Sequence, residues 1–159
     1  MFKILKKMKK ASYTTFVLML LCSAISMYIT MYFHTYEWSH VFFSLTRMYM
    51  TLIGISGMSI IMFLFMRKMY KNKNKNTAIV IGGLLLMITS TVLVRQQILV
   101  DDEKWLKAMI PHHSIAILTS KRATIKDSET KKLAEDIIET QEKEIAEMKA
   151  IIKRLEKEK

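Results

Sequence analysis

The sequence predicts an all-α protein: three transmembrane helices, at about 14–33, 48–66 and 77–94, followed by a helical hairpin outside the membrane. Three observations predict it. Apolar residues concentrate in three long runs before residue 100. The basic excess sits in two short segments flanking those runs. Beyond residue 100 the apolar residues recur at steps of three and four in a charged background, the period of a helix with one buried face. The chain divides accordingly into a membrane domain, 1–97, and a hairpin domain, 98–159.

Thr14 to Phe33 carries no charge and is long enough, as a helix, to cross about 30 Å of hydrocarbon. A cleaved signal peptide would have a shorter apolar core and a small-residue cleavage site, and the segment has neither. Met48 to Met66 is the second span, entered through Val41-Phe42-Phe43, and Thr77 to Val94 the third, ending at Arg95. Gly54, Gly57, Gly82 and Gly83 permit close helix approach. Cys22, the one cysteine, reads as a buried thiol of the first span, so no intrachain disulfide is available. Lys71-Asn-Lys-Asn-Lys-Asn76 reads as a solvated turn.

A net charge of +11 would suit a nucleic-acid partner, but its distribution argues against one. Lys3, Lys6, Lys7, Lys9 and Lys10 precede the first span, and Arg67, Lys68, Lys71, Lys73 and Lys75 follow the second. The 34–47 loop is neutral and the tail nearly so. This is the positive-inside pattern. It puts the amino terminus and the 67–76 loop in the cytoplasm, and the 34–47 loop and the tail outside.

In the tail, Leu106, Met109, His113 and Ala116 or Ile117 form one apolar face of a first helix, which Pro111 either kinks or divides. A break at 125–129 follows, with Asp127 or Ser128 as the N-cap of the next helix. A heptad-like seam then runs through Ala134, Ile138, Gln141, Ile145, Met148, Ile152 and Leu155. A hairpin of roughly 55 residues exposes more apolar surface than it buries alone. Two copies would complete a four-helix bundle, and packing on the outer ends of the spans is the alternative.

Two seam residues are out of character. Gln141 interrupts an apolar row, and Glu144 stands between Ile137 and Ile151. Buried amides and carboxylates cost free energy unless paired or ligated. Gln141, Glu144 and Met148 share one face, as Met109 does with His112 and His113 on the facing helix. Imidazole with thioether suits Cu(I), while imidazole with carboxylate suits Zn(II), Cu(II) or Fe(II). The competing possibility is a polar bundle core in which the same residues satisfy one another. In the spans, Met27, Met31 and His34 form one stripe and Met58, Met62 and Met66 another. These could relay Cu(I), although methionine stripes commonly serve packing alone. His40 in the outer loop could supply another ligand, although a lone interfacial histidine usually does not. There is no phosphate loop, no H-E-x-x-H, no C-x-x-C and no nucleophile elbow.

The stretch Asp102-Glu-Lys-Trp-Leu-Lys-Ala-Met-Ile-Pro-His-His-Ser-Ile-Ala, followed by Leu133-Ala-Glu-Asp-Ile-Ile-Glu-Thr-Gln-Glu-Lys-Glu-Ile-Ala-Glu-Met, resembles the domain of unknown function 305 family. The three-span front end resembles its membrane-anchored branch. The resemblance implies a ferritin-like helical bundle outside the cytoplasm of a bacterial plasma membrane, with copper binding in some members. The matching positions are Met109, His112, His113, Gln141, Glu144 and Met148. Ser114-Ile115-Ala116 and Leu118-Thr119 depart from the family's Gln-Gly-Ala and following Met, which leaves fewer methionines.

The leading expectation is a membrane-anchored metal-binding protein, copper before zinc or iron, for sequestration or handover outside the membrane. It would be a binder more than an enzyme. His112, His113, Met109, Met148 and Glu144 would be ligands, with Gln141 orienting them. Expected partners are the membrane, a second copy and other metal-handling proteins, with no nucleic acid. The alternatives are a metal-free helical assembly module and a ferritin-like metal-dependent oxidoreductase, for which few carboxylates converge.

Overall fold

A computed structural model describes residues 13–158, and these are all-helical. The basic cluster Lys3–Lys10 lies outside the described residues. The five α-helices are α1 (Tyr13–Thr30), α2 (Leu45–Met66), α3 (Lys73–Gln96), α4 (Asp102–Arg122) and α5 (Ser128–Lys157). Short 3-10 turns occupy Trp38–His40 and Arg67–Met69. The chain forms two compact units. Residues 13–28 group with Met48–Gln96, and Ile29–Arg47 group with 97–158. The loop between the first two spans thus joins the tail's unit.

In the first unit three helices are long and apolar enough to cross a membrane: Tyr13–Thr30, Leu45–Met69 with its 3-10 turn, and Lys73–Gln96. The middle one is the most buried, because both others pack on it. Met27 of α1 lies over Gly54, its Sδ 2.8 Å from where a Cβ would stand, and Ile60 reaches equally close to Gly83 of α3. Gly82 meets nothing, so only one glycine of that pair serves close approach. Cys22 is exposed, contrary to the expected buried thiol. α1 fully buries only Phe16; Met19, Leu20 and Met27 are partly buried, and Val17, Leu18, Leu21 and Ile25 face outward.

The Lys71–Asn76 stretch is also not a turn throughout. α3 begins at Lys73, because Asn72 Oδ1 accepts from Lys75 N–H (3.0 Å) as an N-cap. Asn76 ties that end together: its amide donates to the Tyr70 carbonyl (3.0 Å), and its Oδ1 accepts from Tyr13 OH (2.8 Å). Phe16, Phe63 and Tyr70 close an aromatic cluster beside these bonds, with Met62 and Met66 packed against it.

The second unit is built on the α4–α5 hairpin. Asp101 and Asp127 cap the two helices, accepting from Lys104 N–H (2.9 Å) and Thr130 N–H (2.7 Å). The connection is Ala123–Asp127, two residues earlier at its start than the sequence suggested. Pro111 lies inside α4 and does not divide it, although one helical hydrogen bond is forfeited there. Leu106, Ile110 and Ile117 of α4 meet Ile145, Met148 and Ile152 of α5 in the core. The deeply buried stripe of α4 is therefore Leu106–Ile110–Ser114–Ile117, one residue round the helix from the expected Met109–His113 face. Lys107 bridges Glu103 (2.6 Å) and Glu156 (3.3 Å), and Lys121 pairs with Glu142 (2.7 Å).

Residues 29–47 cover part of this hairpin. The Tyr36 N–H donates to Ser114 Oγ (2.7 Å), and Tyr36 and Phe42 pack on the core. The first helix ends at Thr30, before Phe33, because the chain tightens into 3-10-type bonds from Tyr32 to Ile29 and Phe33 to Thr30. The Arg47 guanidinium takes the Met31 carbonyl and stacks over Tyr32, 4.6 Å from its ring centre. Ser44 caps the start of α2, accepting from Arg47 N–H (3.2 Å).

Candidate functional site

Met109, His112 and His113 of α4 and Gln141 of α5 line one open cavity of about 390 Å³, together with Ile115 and Ala116. α4 sets the first three at helical spacing, and the hairpin brings the middle of α5 opposite them. His113 is the deepest of the polar residues, its side chain 16% exposed, while His112 lies on the exposed rim. The two rings stand 6.2 Å apart at 60°.

Glu144 Oε2 lies 3.1 Å from His113 Nδ1 and accepts from Gln141 Nε2 at 3.2 Å. Although the first distance is short, the approach falls outside hydrogen-bond geometry, so the buried Nδ1 has no hydrogen-bond partner. Burial pushes the His113 pKa below its usual value. The Glu144 carboxylate opposes that shift, and His112 adds to it. That shift favours the neutral ring, the form in which a histidine nitrogen can donate its lone pair to a metal.

Not all the sequence candidates meet here. Met148 is buried in the apolar core, among Leu106, Ile110 and Ile145, and does not line the cavity. Met27 fills the space over Gly54, and Met62 and Met66 pack on the aromatic cluster. Met58 is half-buried in α2, the Met31 carbonyl binds Arg47, and His34 is exposed. Among the described residues, no three His, Cys, Asp or Glu side chains gather closely enough to hold a metal by themselves. A metal at His113 and Glu144 would therefore draw on Met109 sulfur or the Gln141 amide. Within those limits the donors fit, because the buried Nδ1 makes no aligned hydrogen bond and faces only the Glu144 carboxylate. Two atoms bound tetrahedrally to one ion at about 2.0–2.2 Å each lie roughly 3.3–3.6 Å apart. Nδ1 and Oε2, at 3.1 Å, would have to separate by a few tenths of an ångström to share an ion.

A second polar cluster escaped sequence reasoning. His40 is buried, with Nδ1 2.9 Å from Ser114 Oγ. Ser114 Oγ also accepts from Tyr36 N–H, so one hydroxyl holds both His40 and the Tyr36 backbone. Nε2 lies 3.6 Å from Glu37 Oε2. Serine, histidine and carboxylate thus stand in line, but Ser114 has no exposed surface and cannot act as a nucleophile. Burial lowers the His40 pKa, Lys149 lowers it further and Glu37 opposes both. The available signal was a serine on the same stripe as Ile110 and Ile117.

A family profile described as "Domain of unknown function (DUF305)" matches residues 88–152, which include both lining helices up to Ile152. The "Uncharacterized protein L153" of Acanthamoeba polyphaga mimivirus is 36% identical over 110 residues, covering 68% of this chain and 70% of the viral protein. No solved structure matches. With the His pair, the Gln141–Glu144 pair and both hairpin helices within the matched region, the chain belongs to the DUF305 family.

Proposed function

We propose that this protein is a membrane-anchored metal-binding protein, for copper before other metals, that sequesters or hands over the ion on the non-cytoplasmic side. The observation that carries the reading is His113: a half-buried imidazole whose buried Nδ1 makes no hydrogen bond, 3.1 Å from a carboxylate oxygen and beside a cavity with a methionine. Mixed nitrogen, oxygen and thioether donors favour copper over zinc or iron, because soft sulfur selects Cu(I). His113 and Glu144 would be the principal ligands and Met109 the soft one, with His112 on the entry rim. Gln141 holds Glu144 in place through its amide. With a single carboxylate at the site, binding is favoured over ferritin-like redox catalysis. The basic 67–75 segment supports a tail on the opposite side of the membrane. A second copy of the hairpin would complete a ferritin-like four-helix bundle.

Metal content tests this. The full chain, purified in detergent, is equilibrated separately with Cu(I), Cu(II), Zn(II) and Fe(II), freed of loose ion and analysed by mass spectrometry. Selective copper retention, lost in His113→Ala and weakened in Glu144→Gln, is the expected result. No retained metal would overturn the proposal in favour of the assembly-module reading. The satisfied His40–Ser114–Tyr36 cluster already gives that reading one example of a purely structural buried polar group.

A further inference from the structure

The segment between α1 and α2 is partly inverted. It buries His40 (6% exposed) and Ser44 (0%), although His34, Glu37 and Ser39 are exposed. Tyr32 and Phe42 turn inward, but three large apolar side chains face outward: Phe33 is 69%, Trp38 83% and Phe43 66% exposed. The turn after α3 repeats the pattern, with Leu99 75% exposed. That turn is closed by Val100 N–H donating to the Gln97 carbonyl (3.0 Å) and places Gln97 and Leu99 at φ of 49° and 63°. A leucine rarely occupies this left-handed region, so the backbone bears a cost while the side chain points away from the core. Thr46 Oγ1, donating to Gln97 Oε1 (3.0 Å), ties this turn to the start of α2.

In water this polarity is the reverse of what the hydrophobic effect favours, and exposed apolar patches mark surfaces that something covers. Chain connectivity says what. Phe33 lies just past the end of α1, Phe43 just before α2 and Leu99 just past α3. If the three helices cross a bilayer in alternation, those three ends emerge on the same side. Tryptophan is enriched at headgroup depth at such exits, and Phe and Leu side chains of interfacial segments insert at the headgroup/acyl boundary. The loop is also built to hold its shape: Tyr32 OH donates to the Phe42 carbonyl (2.8 Å), and His40 is fixed on Ser114.

We propose that Phe33, Trp38, Phe43 and Leu99 form an interfacial anchor, inserted at the boundary between lipid headgroups and acyl chains, whose partner is the lipid surface itself. This rests on α1, α2 and α3 spanning the membrane, and the test separates the two claims. The chain has two tryptophans, Trp38 and Trp105, so Trp105→Phe leaves Trp38 as the sole reporter; Trp105→Leu replaces it if that variant fails to fold. The full-length variant is reconstituted in phosphatidylcholine vesicles brominated either near the headgroup or near the bilayer centre, with iodide as the aqueous quencher on both sides. Trp38 should be quenched at least about twofold more by the shallow bromines than by the deep ones, and little by iodide. Quenching by iodide alone would place the loop in water and overturn the anchor. Shielding from both quenchers would mean that a protein surface covers Trp38, and would overturn it equally. Alkaline carbonate extraction reports the spans: chain that resists it while Trp38 stays in water refutes only the anchor, and chain that is stripped off refutes both.

Discussion

His40, buried, and His113, half-buried, both have a lowered pKa and a carboxylate nearby, yet their Nδ1 atoms have opposite fates. His40 Nδ1 meets the Ser114 hydroxyl at 2.9 Å, and that hydroxyl is itself held by Tyr36 N–H. His113 Nδ1 has a carboxylate oxygen at 3.1 Å and no hydrogen bond. The charges differ too. The Lys149 ammonium bears on His40, a poor setting for a cation, whereas Glu144 bears on His113. A buried histidine alone therefore says little. The state of its nitrogens and the sign of the neighbouring charge separate a structural histidine from one prepared to bind.

The widest difference between the two sites should come from His113→Ala. Losing a ligand should weaken copper(I) binding by more than the roughly 10–100-fold typical of losing an orienting partner. Competition with a chelator of known affinity reads this directly. Ser114→Val should do the converse. It leaves the Tyr36 N–H and His40 without their partner, at about 1–3 kcal/mol for each orphaned group, and lowers the denaturant midpoint while copper affinity stays within error. A Ser114→Val chain that loses copper as His113→Ala does would merge the two sites and break the contrast.

Smaller effects sharpen it. Gln141→Leu frees Glu144 from its amide donor and should cost about tenfold in copper affinity with little change in stability. The pH response should follow His40 and His113 together. The folded pKa of each lies below the usual 6.5, so below that pH the unfolded chain binds more protons than the folded one. Stability is fully present above about pH 6.5 and falls as the solution is acidified. Melting temperature measured with chelator between pH 7.5 and 5 should show this decline, and His40→Gln should flatten part of it. An undiminished decline in that variant would assign the acid sensitivity elsewhere.

The three long apolar helices were legible because long runs of residues without charge leave few alternatives to an apolar helix, and the α5 seam because Ala134, Ile145, Met148 and Ile152 keep a helical period over most of a long helix. The Asp127 cap followed from local chemistry. The buried stripe of α4 was misplaced by one residue, since Leu106–Met109–His113 and Leu106–Ile110–Ser114 are equally regular steps, and only the facing helix chooses between them. The docking of residues 29–47 on α4 joins side chains more than seventy positions apart, and no local pattern encodes it. The Asn-rich segment misled for a different reason. Asparagine favours turns in general, but Asn72 and Asn76 spend their side chains on capping α3 and on bonding Tyr13 and Tyr70. At the site, the helical spacing placed Met109, His112, His113 and Gln141 together. It could not tell that Met148 would turn into the core.

The contrast between the two histidines is tested most directly by copper stoichiometry in His40→Gln and His113→Ala, purified and loaded side by side with the parent chain. The account predicts that the parent and His40→Gln retain copper(I) to the same extent, while His113→Ala retains none. Copper kept by His113→Ala, or lost from His40→Gln while that variant stays folded, would contradict it.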